Sequence, residues 1–339
     1  MLVDPRVFCN FYKYKRKVSS TVRLLCDSGR SFDKLKVLFF GTDNFSLPSL
    51  KALHDECKIS NLGVVTSFKG SSNPVRAYTK AEGLQLYKWP LEEEIAKTYD
   101  LGVVVSFGHL IPQKIITAFP LGMINVHASM LPRWRGAAPI IYAIMHGDET
   151  TGVSIMRIEP KHFDIGDVLA QKRVDITPDV LMPELHDKLA AEGAGLLIET
   201  LNGFPKSFKA VQKQNNALVT YAPKITPEVT EVKWSEMAAQ EVYNRFRALY
   251  GYKQLAAKFN GHGMKIIDLK LTAKEIKSNH IVPGLVEYCK NSKTLRVYCK
   301  DGHPVEVLKV KVEGKKVMSA TDFNNGFLSK YPKDQRFFE

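Results

Sequence analysis

Asn125 and His127 sit two residues apart at the end of an apolar run, in Gly122-Met-Ile-Asn-Val-His-Ala-Ser-Met-Leu-Pro-Arg-Trp-Arg-Gly136. The run halts at Pro132 and Gly136, which predicts a buried strand ending in a turn. Along a strand, residues two apart share a face, so the amide and the imidazole project together. Such a pair can donate hydrogen bonds to an oxygen that becomes negative, and a carboxylate can tune the imidazole. Phe163-Asp-Ile-Gly-Asp167 offers that carboxylate further along the chain. Taken alone, Asn-x-His is equally the pattern of two satisfied polar residues in a sheet.

The surroundings of that pair must form a scaffold. From Lys36 onward, apolar runs alternate with helical patterns, the signature of βαβ units and a mostly parallel α/β sheet. Strands are expected at 36–40, 61–66, 84–89 and 101–107, with a hairpin-like pair at 153–158 and 168–176 and a long helix at 181–201. Ligands of such sheets collect beyond the carboxyl ends of strands, which is where 125–127 ends. The chain has no Gly-x-Gly-x-x-Gly and no P-loop, so NAD and ATP have no support. Five cysteines without a Cys-x-x-Cys pair or a Cys/His cluster argue against a disulfide framework and a zinc site; no metal is expected. No cysteine neighbours the polar pair and no serine is matched with a base, so covalent nucleophilic catalysis is unsupported.

Further blocks surround the pair: Val37-Leu-Phe-Phe-Gly-Thr-Asp43, Ser106-Phe-Gly-His-Leu-Ile-Pro112, Ser129-Met-Leu-Pro-Arg-Trp-Arg-Gly-Ala-Ala-Pro139, His146-Gly-Asp148, Thr151-Gly-Val-Ser-Ile-Met156 and Asp164-Ile-Gly-Asp167. In this order they resemble the formyltransferases that use 10-formyltetrahydrofolate, most closely the mitochondrial-type members acting on methionyl-tRNA. Met130 stands where the family usually has leucine, a size-conserving swap. The resemblance implies a Rossmann-like formyltransferase domain and, as catalytic residues, Asn125, His127 and Asp164. It also implies a folate site made by Phe107, Gly108, His109, Leu110 and Ile111 together with Ser129, Met130, Leu131 and Pro132. A flat ring rich in donors and acceptors suits a narrow cleft with exposed peptide groups. Asp167 reads as a turn residue capping its own backbone. In bacterial members the loop matching 67–73 is longer and basic; here only Lys69 and Arg76 lie nearby.

The net charge of +13 is uneven: +5 on residues 1–34, where 8 basic face 3 acidic residues, +1 on 35–224 and +7 on 225–339. The leader 1–34 resembles a mitochondrial transit peptide, with Asp4, Asp27 and Asp33 as departures from the acid-poor norm. The expected organisation is that leader, a catalytic domain at 35–203, a linker at 204–223, a C-terminal domain at 224–330 and a tail at 331–339. In the C-terminal domain, an amphipathic helix at 235–249 precedes short strands at 265–271, 284–289, 294–299 and 306–312, with Asn260-Gly261 and Asp301-Gly302 as turns. That spacing suggests a small β-barrel, and the family has an OB-like one. Its basic balance suits a polyanion such as tRNA.

The expected activity is formylation of methionyl-initiator tRNA in the mitochondrial matrix by a monomer, with 10-formyltetrahydrofolate as co-substrate. No apolar run is long enough to span a bilayer, so no membrane partner is expected. The alternatives are another formyltransferase or hydrolase of 10-formyltetrahydrofolate, or a non-catalytic RNA-binding protein on the same fold.

Overall fold

The structure, a computed structural model, describes residues 34–68, 73–160, 162–272 and 282–339. The leader, apart from Lys34, and residues 69–72 of the loop expected at 67–73 lie outside the described residues. No described helix is long and apolar enough to cross a membrane.

The chain divides into two compact units. The first holds a seven-stranded sheet made of β1 (Leu35–Gly41), β2 (Ile59–Thr66), β3 (Gln85–Lys88), β4 (Leu101–Val105), β5 (Met123–His127), β7 (Thr150–Arg157) and β8 (Val168–Asp175). A two-residue strand, β6 (Arg135–Gly136), stands apart from it. The order is β3-β2-β1-β4-β5-β7-β8; β1 to β5 run parallel and β7 antiparallel to β5. β7 and β8 are neighbours, as the hairpin pattern predicts. Val37 to Phe40 have no exposure and β4 is buried throughout, because helices cover both faces of a parallel sheet and its strands need not alternate.

Chain order reverses between β1 and β4, and the crevice of such a sheet opens at the carboxyl ends of those strands. Asp43 accepts the Phe45 and Ser46 amides through one oxygen and the Ser106 hydroxyl through the other, tying the loops after β1 and β4 together. The long helix Met182–Asn202 covers β5: a Cβ on Gly193 would lie 2.9 Å from Val126. Val126 therefore faces the helix, and its neighbours Asn125 and His127 face the other way.

The stretch expected to be a linker is partly ordered and belongs to the first unit as far as Ala222. It contains a short helix, Lys206–Lys209, and a strand, β9 (Tyr221–Ala222), that pairs in parallel with β6.

The second unit gathers Ile140–Thr150, Ile176–Leu185 and Pro223–Glu339. Two pieces of the expected 35–203 domain thus belong with it, and the helix Ala239–Leu249 touches both: Tyr243 donates to Asp179, Arg247 to the Val180 carbonyl, and Asn244 packs against Gly147. That helix starts four residues later than predicted, where Glu241 and Asp301 accept the amides of Ala238 and Ala239.

Its sheet is antiparallel, ordered β10 (Leu255–Phe259), β11 (His262–Leu271), β14 (Pro304–Val312), β13 (Thr294–Tyr298) and β12 (Val286–Cys289), with β15 (Met318–Ser319) beside β14. β10 is absent from the expected strands, since Leu-Ala-Ala-Lys-Phe carries little β signal; its pairing with β11 across the Asn260-Gly261 turn imposes the conformation. The expected tail supplies a closing segment. Arg336 accepts the Val286 amide, Phe338 donates to Gly284, and Glu339 exchanges two bonds with Lys258. Residues 336–339 thereby lie between β10 and the start of β12, the two edges of the sheet, and join them.

Candidate active site

β5 ends on His127, in register with Ser154 of β7, while Asn125 lies between Val104 and Met156. His127 is buried, and its Nε2 lies 2.9 Å from the Trp134 carbonyl. A carbonyl can only accept, so Nε2 carries a hydrogen and Nδ1 is the ring nitrogen left for other partners. Nδ1 faces Asp164 Oδ1 at 3.7 Å. That separation is an ion-pair distance when the imidazole is protonated and too long for a direct hydrogen bond. The Trp134 carbonyl, more than Asp164, therefore fixes the ring's orientation.

Asp164 is held independently. Its Oδ2 accepts the Gly136 amide at 2.9 Å, which leaves Oδ1 as the oxygen directed at the imidazole. Its backbone has φ 55°, a left-handed conformation sparsely used by non-glycine residues. The loop around it is pressed onto β7, since a Cβ on Gly166 would lie 1.9 Å from the Arg157 carbonyl. Ser106 and Trp134 also have positive φ, 45° and 61°. Backbone conformations of this kind gather at functional sites because their surroundings over-determine them.

The amide of Asn125 makes no hydrogen bond among the described residues and is partly exposed. The three expected catalytic residues thus lie on β5 and on the loop that enters β8, with His127 and Asp164 in direct juxtaposition.

The residues expected to hold folate fall into two kinds. Phe107 and Ile111 are buried in an aromatic cluster, where Phe107 meets Phe40 and Trp89 edge-on. Gly108 (φ 73°) is exposed, and a Cβ there would meet nothing within 4 Å, so the backbone lies open to close approach. His109 lies against Trp89 and Phe107, and Leu110 is 57% exposed. In the loop after β5, Met130 and Pro132 are partly exposed, whereas Ser129 and Leu131 are buried. Ser129 works inside its own loop, its hydroxyl donating to the Arg133 carbonyl at 2.6 Å. Open backbone at Gly108 beside half-exposed ring and aliphatic surfaces fits a flat heteroaromatic group.

Several site-building residues were assigned no role from the sequence, although Ser154 lies within the Thr151–Met156 block. Ser154 donates to the Ser129 carbonyl and accepts the Leu131 amide, and Gln171 donates to the Leu131 carbonyl and to Ser154. Thr220 accepts the Trp134 amide through its hydroxyl and the Arg135 amide through its carbonyl. Gln214 bonds to both the Asp164 loop and Arg135.

The sequence pattern of the formyl transferase family matches residues 35–201, and that of the formyl transferase C-terminal domain matches 224–328. The human mitochondrial methionyl-tRNA formyltransferase is 39% identical over 307 residues, 86% of this chain and 78% of that protein. The methionyl-tRNA formyltransferase of Fusobacterium nucleatum is 33% identical over 86% of this chain and 97% of its own length. The chain belongs to the methionyl-tRNA formyltransferase family. Solved structures agree at the level of fold. WlaRD, a sugar 3N-formyl transferase solved with dTDP and 5-N-formyl-THF, aligns over 83% of this chain and 99% of its own at TM-score 0.62 and 18% identity. HypX from Aquifex aeolicus, solved with tetrahydrofolic acid, aligns over 87% of this chain at TM-score 0.58 and 16% identity, and the chain spans about half the length of HypX.

Proposed function

We propose that this chain transfers the formyl group of 10-formyltetrahydrofolate to the α-amine of methionyl-initiator tRNA, as a monomer in the mitochondrial matrix, and that Asn125, His127 and Asp164 carry the reaction. The observation that carries the site assignment is the pairing of His127 Nδ1 with the one unanchored oxygen of Asp164, beside an unengaged amide at Asn125. The folate supplies an activated formyl carbon; Gly108, His109, Leu110, Met130 and Pro132 are the residues with surface to hold it.

As the amine attacks that carbon, its oxygen becomes negative. Asn125 donates to it from the side-chain amide, and His127 donates from protonated Nδ1. Asp164 Oδ1 accepts the proton that the amine loses and relays it toward the departing folate nitrogen. Nε2 stays on the Trp134 carbonyl throughout, so the ring serves as a fixed donor.

The second unit supports a polyanionic acceptor. Lys265 of β11 stands directly opposite Lys311 of β14, and like charges so paired destabilise a sheet, a repulsion that an anion lying over them relieves. Phosphate contacts of that kind release counterions and make binding salt-dependent.

The test offers the full chain 10-formyltetrahydrofolate with methionyl-initiator tRNA and, separately, with glycinamide ribonucleotide. Formylation of the tRNA alone is expected, with Asn125→Ala lowering kcat about 10²–10³-fold, the usual cost of one oxyanion donor. Formylation of the small acceptor, or release of formate without an acceptor, would reassign the substrate; a near-normal rate for Asn125→Ala would remove that residue from the mechanism.

A further inference from the structure

We propose that Gln214 is a positioning residue for the transfer reaction, setting the Asp164 carboxylate against His127 from a segment outside both family-matched regions. The inference rests on the reading that Asp164 takes part in catalysis.

Gln214 lies between residue 201, where the first match ends, and residue 224, where the second begins. The segment runs along the site, with Gln212 exchanging two backbone bonds with Val168 at the start of β8 and Thr220 holding Trp134 and Arg135. Between these anchors, the Gln214 amide uses both its ends. Oε1 accepts from Arg135 Nε at 3.0 Å and Nη2 at 2.7 Å; Nε2 donates to the Asp164 carbonyl at 2.9 Å and the Gly166 carbonyl at 2.8 Å. The guanidinium leaves no ambiguity in the amide, because it can only donate.

The connections close a ring. Arg135 orients Gln214, Gln214 grips the backbone of Asp164, and Gly136, the residue after Arg135, donates its amide to Asp164 Oδ2. Asp164 is thus held on one side by its carbonyl and on the other by its carboxylate, which keeps its left-handed backbone conformation in place and Oδ1 free. A side chain used only to pack the segment would not need to bond both carbonyls flanking Ile165.

Gln214→Glu preserves size and the acceptor toward Arg135 but removes both donors and sets a negative oxygen against two carbonyls. Gln214→Ala removes the amide altogether and serves if the charged variant fails to fold. In the full chain, each is expected to lower kcat about 10–10²-fold, the scale of an ångström's misplacement in a reacting constellation. The Kd for 5-formyltetrahydrofolate, measured by titration, should stay within about twofold, because Gln214 bonds none of the folate-facing residues. The deciding measurement is a double-mutant cycle. In an Asp164→Asn background, either Gln214 change should cost less than about twofold more, since residues acting through one another are non-additive. Losses that multiply, a folate Kd that rises with the fall in kcat, or a folded Gln214→Ala protein with kcat within twofold of the parent would overturn the proposal. A near-normal rate for Asp164→Asn alone would instead overturn the catalytic reading on which it rests.

Discussion

Replacing Gly166 by alanine tests whether turnover depends on where the Asp164 loop sits. The added Cβ would lie 1.9 Å from the Arg157 carbonyl oxygen and 2.8 Å from its carbon. Ordinary contact begins at 3.4 Å, so the two backbones must separate by about 1.5 Å. β7 cannot give, because β5 and β8 flank it; the loop must. Asp164 is two residues away, and its 2.9 Å bond to the Gly136 amide does not survive a shift of that size. A displacement near 1 Å costs about 10²-fold in rate, or about 2.7 kcal/mol of barrier. Single-turnover formylation at saturating donor and acceptor, read beside the thermal melt, separates this loss from unfolding. Gly195→Ala is the control: this exposed helical glycine has nothing within 4 Å of its Cβ, so that change should keep full activity and stabilise by about 0.5–1 kcal/mol. A folded Gly166→Ala protein with kcat within threefold of the parent would refute the claim that the loop's seat on β7 sets the carboxylate.

Two further outcomes concern the second unit. Phe338→Ala removes a side chain 2% exposed from the closing segment and should cost about 3–5 kcal/mol in denaturant unfolding; a loss under 1 kcal/mol would mean that the segment does not hold the ring shut. Burial, then Asp301, pushes the Cys299 thiol up to about 12, and burial, then Glu287, pushes the Tyr298 hydroxyl up to about 12. Both shifts are upward, so the neutral forms stabilise the fold below the unfolded values of 9.0 and 10.0, and that contribution disappears as pH rises toward 12. Stability should fall between pH 9 and 12, less steeply in Cys299→Ala; an unchanged slope would remove the thiol as a contributor.

The groups proposed to react were legible in the sequence because a local strand signal placed Asn125 and His127 together and the family resemblance added Asp164. An apolar run halted by Pro132 predicted β5 and put Asn125 and His127 on one face, and the alternation of runs predicted the parallel sheet. What fixes those groups was not legible. Gln214 reaches Asp164 across 50 residues, and Thr220 reaches Trp134 across 86. Glutamine and threonine in a polar stretch between two domains read as solvated chain, since no period or spacing marks a side chain that bonds a distant carbonyl. The closing segment 336–339 escaped notice for the same reason: these residues make isolated bridges to two sheet edges, a pairing that no local pattern announces.

The contrast has a physical basis in the site's backbone. Ser106, Trp134 and Asp164 all occupy the left-handed region without being glycine. Each costs about 1–3 kcal/mol unless its surroundings impose it. Local sequence would therefore relax them, and only bonds from elsewhere keep them: Asp43 to Ser106, Thr220 to Trp134, Gln214 to Asp164. Trp134's turn brings its carbonyl to His127 Nε2, and Asp164's turn aims Oδ1 at Nδ1. The imidazole and the carboxylate are consequently set by two strained turns, each held by the segment between the family-matched domains. On the proposed mechanism that segment positions the reacting groups, and substitutions in it should act on turnover before they act on substrate binding.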